Sequence, residues 1–180
     1  RVAEGSRIPI LIYNVPKYTH VNIKADAVAK LAQHENIIGM KDSTGDVPQL
    51  ANFLRVTEGQ HYNVLVGTAS AWYPAMALGI QAGIHALANC APRAGVAGQA
   101  AFAAGDYAKS CAIYQAALPL NAAVTGTYGI PGLKYACELA GYHGGYVRCP
   151  LQPLSEEGKA GVKKIFDTAA EKLSQLGVQI

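Results

Sequence analysis

Short β-rich apolar runs alternate with helical patterns along the first ninety residues, and this alternation constrains the fold more than any other feature. Such βαβ units build a parallel sheet that is covered by helices. The runs are apolar at consecutive positions, as in strands that are buried on both faces. The predicted strands are Ile8–Tyr13, Ile37–Lys41, Tyr62–Val66 and Gly83–Leu87, and the helices between them are predicted over Lys24–Gln33, Val47–Val56 and Trp72–Leu78.

Beyond Asn89 the strand patterns stop, and four helical patterns follow, so the chain reads as four βα units and a helical tail. Neither GxGxxG nor GxxxxGK[ST] is present, which disfavours a nucleotide-binding sheet and leaves the (β/α)₈ barrel. Four strands are half of such a barrel, so we expect a piece of a larger barrel or one half of an assembly, and favour the piece. The four helices of the tail are predicted over Ala91–Ala104, Asp106–Leu118, Pro131–Ala140 and Ser155–Leu176.

Composition excludes several classes of protein. Hydrophobic residues make up 51% of the 180 residues and charged ones 15%, which excludes a disordered chain. The net charge of +3 comes without a basic run, so no nucleic-acid partner is expected. No apolar stretch of about 18 residues predicts a membrane span. The four cysteines and five histidines are scattered, which favours reduced thiols in the cytoplasm and no metal site.

Candidate functional residues lie at the strand ends, because active sites of (β/α)₈ barrels are built at the C-terminal ends of the strands. The first three predicted strands end at Tyr13, Lys41 and Gly67. Side chains alternate along a strand, so Lys41 shares a face with Ser43, whereas Asp42 points away from it. A lysine that ends a buried strand is unusual, since an unpaired ammonium is costly to bury. Burial favours the neutral amine, which is the form that attacks carbonyl groups.

Each candidate also has a structural explanation. Lys41 could extend its amine to solvent, and Tyr13 could be a rim aromatic, but their pairing at adjacent strand ends favours function for both. Gly67 either ends its strand or makes room for a ligand. His85 lies on the fourth predicted strand. We expect it to be a packed interior residue, and a contact with the ligand is the second explanation.

Two motifs carry a family resemblance. Tyr13-Asn-Val-Pro16 with Thr19, and the run from Gly39 to Gly45, resemble the dihydrodipicolinate synthase / N-acetylneuraminate lyase family of class I aldolases. The resemblance implies that Lys41 forms an imine with pyruvate or another 2-oxo acid and that Tyr13 transfers protons. It implies that Ser43, Gly67 and His85 line the substrate pocket, His85 mainly through its backbone carbonyl.

The resemblance also implies an architecture. The chain would supply strands five to eight of a TIM (β/α)₈ barrel, with residues 1–90 as the second half of the barrel and 91–180 as its last helix and a helical C-terminal extension. The family's carboxylate-binding motif and second relay tyrosine lie on strands that this chain lacks. The resemblance implies a cytoplasmic homotetramer that acts on a small 2-oxo acid. It implies no cofactor, no metal and no membrane partner.

The substrate is less constrained than the chemistry. Synthases of this family that make the lysine precursor have an arginine where this chain has Tyr18, which cannot make the same bidentate contact with a carboxylate. The segments from Asn121 to Lys134 and from Gly141 to Gln152 most resemble 4-hydroxy-2-oxoglutarate aldolases. We therefore expect cleavage of that substrate to pyruvate and glyoxylate. The synthase is the alternative, followed by a sugar-acid aldolase; a catalytically silent half-barrel partner also remains open.

Overall fold

The computed structural model describes residues 1–180 and divides them into two compact units, Arg1–Ile84 and His85–Ile180. The first unit contains a parallel β-sheet with helices. The second unit consists of helices. None of the helices combines the length and the apolar character that crossing a membrane would need.

The sheet of the first unit has three parallel strands in the order β1-β2-β3, as the alternating pattern predicted. Tyr13 on β1 is the register partner of Lys41 on β2, and the next pair along the two strands is Asn14 with Asp42. Parallel neighbours bring their C-terminal ends to one edge of the sheet, so these residues collect there. The strands span Ile10–Asn14 (β1), Ile37–Asp42 (β2) and Asn63–Val66 (β3).

The fourth strand predicted over Gly83–Leu87 is wrong. Only one isolated parallel bridge forms there, between Val66 and Gly83, and it is flanked by a hydrogen bond from Ile84 N to Val66 O of 2.9 Å. Because β3 ends at Val66, the residues that follow have no strand to pair with. The chain instead winds into a 3₁₀-helix over Ala86–Asn89.

The two faces of the sheet differ in exposure. Met40, Asp42 and Val66 lie on one face and are fully buried. On the other face Leu11 is 43% exposed and Tyr13 is 50% exposed. The covering helices therefore protect one side of the sheet, and the side that carries Tyr13 and Lys41 is open.

The helices of the first unit follow the predicted positions closely. The carboxylate of Asp46 accepts a hydrogen bond from Gln49 N and so caps the helix that follows β2, where Pro48 occupies the first turn. Leu50 and Phe53 of that helix are buried. The helices are α1 (Val2–Gly5), α2 (Pro16–Thr19), α3 (Ala25–Leu31), α4 (Val47–Val56) and α5 (Trp72–Ala77), with a 3₁₀-helix over Ala69–Ala71.

The second unit packs long helices around buried aliphatic side chains such as Leu120, Val162 and Leu173. The helix predicted to end at Leu118 continues through Pro119 to Ala122 and then into a π-helix over Ala123–Thr127. A proline within a helix lacks the backbone donor, which made the earlier end the natural expectation. The helices are α6 (Pro92–Ala103), α7 (Tyr107–Ala122), α8 (Gly129–Leu139) and α9 (Glu156–Gln175).

Candidate active site

Lys41 and Tyr13 face each other at the C-terminal ends of two neighbouring strands. The Lys41 Nζ atom lies 4.2 Å from the centre of the Tyr13 ring. Their direct pairing in the sheet places them there, since register partners on one face have adjacent side chains. The three ion pairs of the structure do not involve Lys41. The amine therefore rests against an aromatic face, without a carboxylate partner.

The hydroxyl of Ser43 links this pair to the end of β3. Ser43 Oγ lies 3.4 Å from the Tyr13 hydroxyl and 3.3 Å from the carbonyl oxygen of Gly67, and it donates to these two acceptors. Alternation along the strand predicted that Ser43 shares a face with Lys41, and the contact with Tyr13 agrees with this. The side chains of Tyr13, Lys41 and Ser43 thus form one polar cluster beside Gly67.

Gly67 is required by close packing at this point. A β-carbon on Gly67 would collide with Ser43 Oγ and would lie 2.8 Å from the carbonyl oxygen of Asp42. The Gly67 amide also donates to that carbonyl oxygen at 2.6 Å. The space left by the missing side chain is therefore filled by the serine hydroxyl.

His85 belongs to the second unit and stands at the N-cap of the 3₁₀-helix Ala86–Asn89. Its carbonyl oxygen accepts a hydrogen bond from Ala88 N at 3.1 Å. Its imidazole faces α6, where the Cε1 atom lies 3.9 Å from the position that a β-carbon on Gly95 would take. The structure thus places His85 at a helix start, where the sequence predicted an interior strand residue.

The segment after β1 carries the candidate specificity residue. Tyr18 lies in the short helix α2 and is 70% exposed, with the Lys17 amine 5.6 Å from its ring centre. His20 ends this turn in the left-handed conformation, at φ 57°. An exposed phenol in this loop is free to meet a ligand, and it carries no positive charge.

One group of residues at these strand ends was missed from the sequence. Asn14 and Asp42 directly follow Tyr13 and Lys41, and their side chains form a buried hydrogen bond of 2.6 Å on the opposite face of the sheet. The alternation that separated Asp42 from Lys41 would also have paired Asp42 with Asn14. A polar residue after each of two adjacent strand ends was the available signal.

Comparison with known proteins adds the family. Residues 1–169 match the model of the dihydrodipicolinate synthetase family. The chain is 35% identical over 167 residues to the 4-hydroxy-tetrahydrodipicolinate synthase of Methanothrix thermoacetophila, covering 92% of this chain and 56% of that protein. A second synthase of that name, from Geobacter sulfurreducens, is 36% identical over 166 residues, covering 92% of this chain and 57% of its own length.

Solved structures agree in fold. The dihydrodipicolinate synthase of Bacillus anthracis superposes with a TM-score of 0.87 at 28% identity, covering 92% of this chain and 56% of that one. A 2-keto-3-deoxygluconate aldolase variant of Sulfolobus solfataricus has a TM-score of 0.88 at 20% identity, covering 98% and 59%, and shows the same fold. The chain thus spans a little over half the length of the curated relatives that it matches. The family model matches nearly the whole chain, and the protein therefore belongs to the dihydrodipicolinate synthetase family.

Proposed function

We propose that the protein containing this chain is a pyruvate-dependent class I aldolase, in which Lys41 forms the Schiff base. The observation that carries this proposal is the placement of the Lys41 amine 4.2 Å from the Tyr13 ring, at adjacent C-terminal strand ends. Nucleophilic lysines need a neighbouring proton donor or acceptor, and the ring that lies against the amine carries the Tyr13 hydroxyl, which contacts the Ser43 hydroxyl. Membership of the family supports the same chemistry.

The steps follow from these groups. The neutral Lys41 amine adds to the 2-oxo carbon of the substrate, Tyr13 donates its proton to the departing hydroxyl, and loss of water gives a protonated imine and a Tyr13 phenolate. The phenolate takes the proton from the hydroxyl two carbons beyond the imine, the carbon–carbon bond breaks with release of the aldehyde, and the electron pair of that bond moves into the imine to give an enamine. Tyr13 returns a proton to the enamine carbon, and water then hydrolyses the imine, which frees pyruvate and Lys41.

The remaining predicted site residues would bind the substrate. Ser43 contacts Tyr13 and Gly67, and we propose that the serine hydroxyl holds the Tyr13 hydroxyl in place while the missing side chain of Gly67 leaves room for the serine. For His85, a contact with the substrate stays a prediction of the family resemblance. These roles are proposals that rest on position at the strand ends.

The architecture proposed with this function is the C-terminal half of a (β/α)₈ barrel, strands five to eight, followed by a helical extension. In this structure the eighth strand is represented only by the bridge between Val66 and Gly83. The open face of the sheet supports it, because parallel sheets in α/β proteins are normally covered on both faces and here Leu11 and Tyr13 are exposed. The share of the relatives' length that the chain spans also supports it. A homotetramer is proposed for the whole protein, to be tested by light scattering.

For the substrate we propose 4-hydroxy-2-oxoglutarate, cleaved to pyruvate and glyoxylate. The segments from Asn121 to Lys134 and from Gly141 to Gln152 support this choice by their resemblance to 4-hydroxy-2-oxoglutarate aldolases. Tyr18 also lacks the charge with which the arginine of the synthases holds the carboxylate of aspartate semialdehyde. The second candidate is condensation of pyruvate with aspartate semialdehyde, and the names of the sequence relatives favour it. The two candidates share Lys41 and Tyr13 and differ only in the group that meets Tyr18.

The test is borohydride trapping of the full-length enzyme with pyruvate, followed by mapping of the adduct by mass spectrometry. The adduct is expected on Lys41, and Lys41→Ala is expected to abolish both adduct and turnover while the circular dichroism spectrum stays unchanged. The exposed Lys30 in α3 provides a matched control, and Lys30→Ala should trap and turn over normally. An adduct on another lysine, or none, would overturn the assignment.

A further inference from the structure

A buried carboxylate lies directly behind the proposed Schiff-base lysine. Asp42 is 0% exposed, and its side chain lies on the face of β2 opposite to that of Lys41. One oxygen accepts from Asn14 Nδ2 at 2.6 Å and from Gln49 Nε2 at 3.2 Å. The other accepts from the Thr44 amide at 3.2 Å and from the Thr44 hydroxyl. Four donors thus surround the carboxylate, and no cation is among them.

Asn14 extends this network into the loop after β1. Its Nδ2 atom also donates to Asn22 Oδ1 at 2.8 Å, and its Oδ1 atom accepts from the Ile23 amide at 3.1 Å. Asn22 and Gln49 close the circuit, because Asn22 Nδ2 donates to Gln49 Oε1 at 2.8 Å. The network therefore joins the ends of β1 and β2, the loop before α3 and the first turn of α4.

A requirement for stability alone does not explain this group. Burying a carboxylate without a cation is costly unless every acceptor site is satisfied, and the other buried residues of this face, such as Met40 and Val66, are apolar. The polar exception occurs only at the pair that directly follows Tyr13 and Lys41. Polar networks of this kind fix one geometry, because a partly satisfied arrangement is much less stable.

The register explains what geometry is fixed. Asn14 and Asp42 are register partners, as are Tyr13 and Lys41 one residue earlier on the opposite face. A hydrogen bond of 2.6 Å between the first pair therefore sets the separation and alignment of the second pair. The backbone bond from Ser43 N to Asn14 O at 2.9 Å carries the same alignment to Ser43.

We infer that Asn14 and Asp42 are positioning residues, which hold the two strand ends in the alignment that puts the Tyr13 ring against the Lys41 amine. This inference rests on the proposed function of Lys41. Misplacement of reacting groups by about 1 Å can cost about 10²-fold in rate, so the loss of this hydrogen bond is expected to act on kcat. Substrate affinity is expected to change little, since neither residue faces the open side of the sheet.

The experiment compares Asp42→Asn, Asn14→Asp and the double exchange in the full-length enzyme. In Asp42→Asn the NH2 group of the new amide must face either the Asn14 donor or the Thr44 donors, and in Asn14→Asp two carboxylates face each other, so each single variant disrupts the network. The double exchange restores an amide–carboxylate pair with its partners reversed. We expect kcat and the rate of imine trapping to fall about 10²-fold in each single variant and to recover at least about tenfold in the double variant, with KM within a factor of about three.

Thr57→Val is the control for a general loss of stability. Thr57 is buried in the same unit, and its hydroxyl donates to Phe53 O at 2.8 Å without touching the network. This variant should lower the melting temperature and leave kcat unchanged. If an Asn14 or Asp42 variant fails to fold, Gln49→Met and Thr44→Val replace it, since each removes one hydrogen-bond donor to the Asp42 carboxylate. Each of these variants is expected to lower kcat, by a smaller factor than the Asn14 and Asp42 variants.

The outcomes separate the two proposals. If the wild-type enzyme gives no adduct at Lys41, the proposed function fails, and the positioning role that rests on it is overturned with it. If the wild type traps at Lys41 but both single variants trap and turn over within about twofold of it, the positioning role is overturned. A loss that the double exchange does not recover also overturns it, since the pair would then act separately.

Discussion

The hydroxyl of Ser43 occupies the place that a side chain on Gly67 would need. The two residues lie at the ends of neighbouring strands, and Ser43 Oγ donates to the Gly67 carbonyl oxygen at 3.3 Å. The serine reaches the Tyr13 hydroxyl from the same position. The glycine is thus a condition for the geometry of the proposed site.

Replacing Gly67 by alanine should therefore disturb the site. The added β-carbon would meet Ser43 Oγ and the backbone of Asp42, and relief of such overpacking costs about 1–3 kcal/mol. We expect a lower free energy of unfolding in urea and a loss of imine trapping. Gly5→Ala is the matched control, because no atom lies within 4 Å of its added carbon. Normal trapping by Gly67→Ala would show that the serine can move without consequence.

Tyr13→Phe should separate imine formation from cleavage. The variant keeps the ring against Lys41 and removes the hydroxyl that we assign to proton transfer. Borohydride trapping with pyruvate should remain detectable, while turnover should fall about 10²–10⁴-fold, the usual contribution of a general acid–base group. Tyr146→Phe, at a highly exposed tyrosine, serves as control and should be silent. Unchanged turnover in Tyr13→Phe would make Tyr13 a structural residue.

Tyr18 should decide between the two substrates. The wild-type enzyme is expected to show a higher kcat/KM for cleavage of 4-hydroxy-2-oxoglutarate than for condensation with aspartate semialdehyde. Tyr18→Arg should raise kcat/KM for condensation by about tenfold or more, because the guanidinium adds a charge-assisted contact with the carboxylate of aspartate semialdehyde. Tyr18→Phe adds no charge and should leave this constant unchanged. The reverse order of the two wild-type constants would identify the synthase.

The cysteines should differ sharply in reactivity. Burial, together with the neighbouring Cys137, raises the pKa of the Cys90 thiol from 9.0 to about 12, whereas Cys149 is exposed. At pH 8 iodoacetamide should label Cys149 readily and Cys90 only after unfolding in urea, as mass spectrometry of the digests will show. Early labelling of Cys90 in the native protein would contradict its burial.

The same shift sets a pH dependence of stability. The pKa of Cys90 is higher in the folded state than in the unfolded state, so below about pH 9 both states hold the proton and the thiol adds no pH dependence. Between about pH 9 and 12 the unfolded state loses the proton first, and the free energy of unfolding should fall. Cys90→Ala should flatten this part of the curve, measured by urea denaturation.

Residues 1–180 expressed alone should aggregate and lack aldolase activity. The open face of the sheet, with Leu11 and Tyr13, and the unpaired edge of β1 favour association with other chains. Coexpression with the preceding segment of the full-length protein should give a soluble complex that traps pyruvate at Lys41. A soluble, monomeric and active 180-residue chain would contradict the half-barrel proposal.

The sequence by itself determined the local elements of this protein. Short apolar runs located three strands, and period-3.6 patterns located the main helices, to within a few residues, since both patterns report which residues are buried. Alternation along β2 also assigned Lys41 and Ser43 to one face and Asp42 to the other. The pairing of Lys41 with Tyr13 was predicted because parallel strand ends meet at one edge.

Tertiary structure decided what depends on distant neighbours. The run Gly83–Leu87 has strand composition, yet it forms a single bridge because β3 ends before it. The network around Asp42 joins residues from four separate segments, and only folding brings their donors to one carboxylate. The need for glycine at Gly67 likewise arises from Ser43, which lies 24 residues away along the chain. Alternation indicates that Asn14 and Asp42 share a face, but the contacts of Asp42 with Gln49 and of Ser43 with Gly67 leave no periodic trace, so no local pattern predicts them.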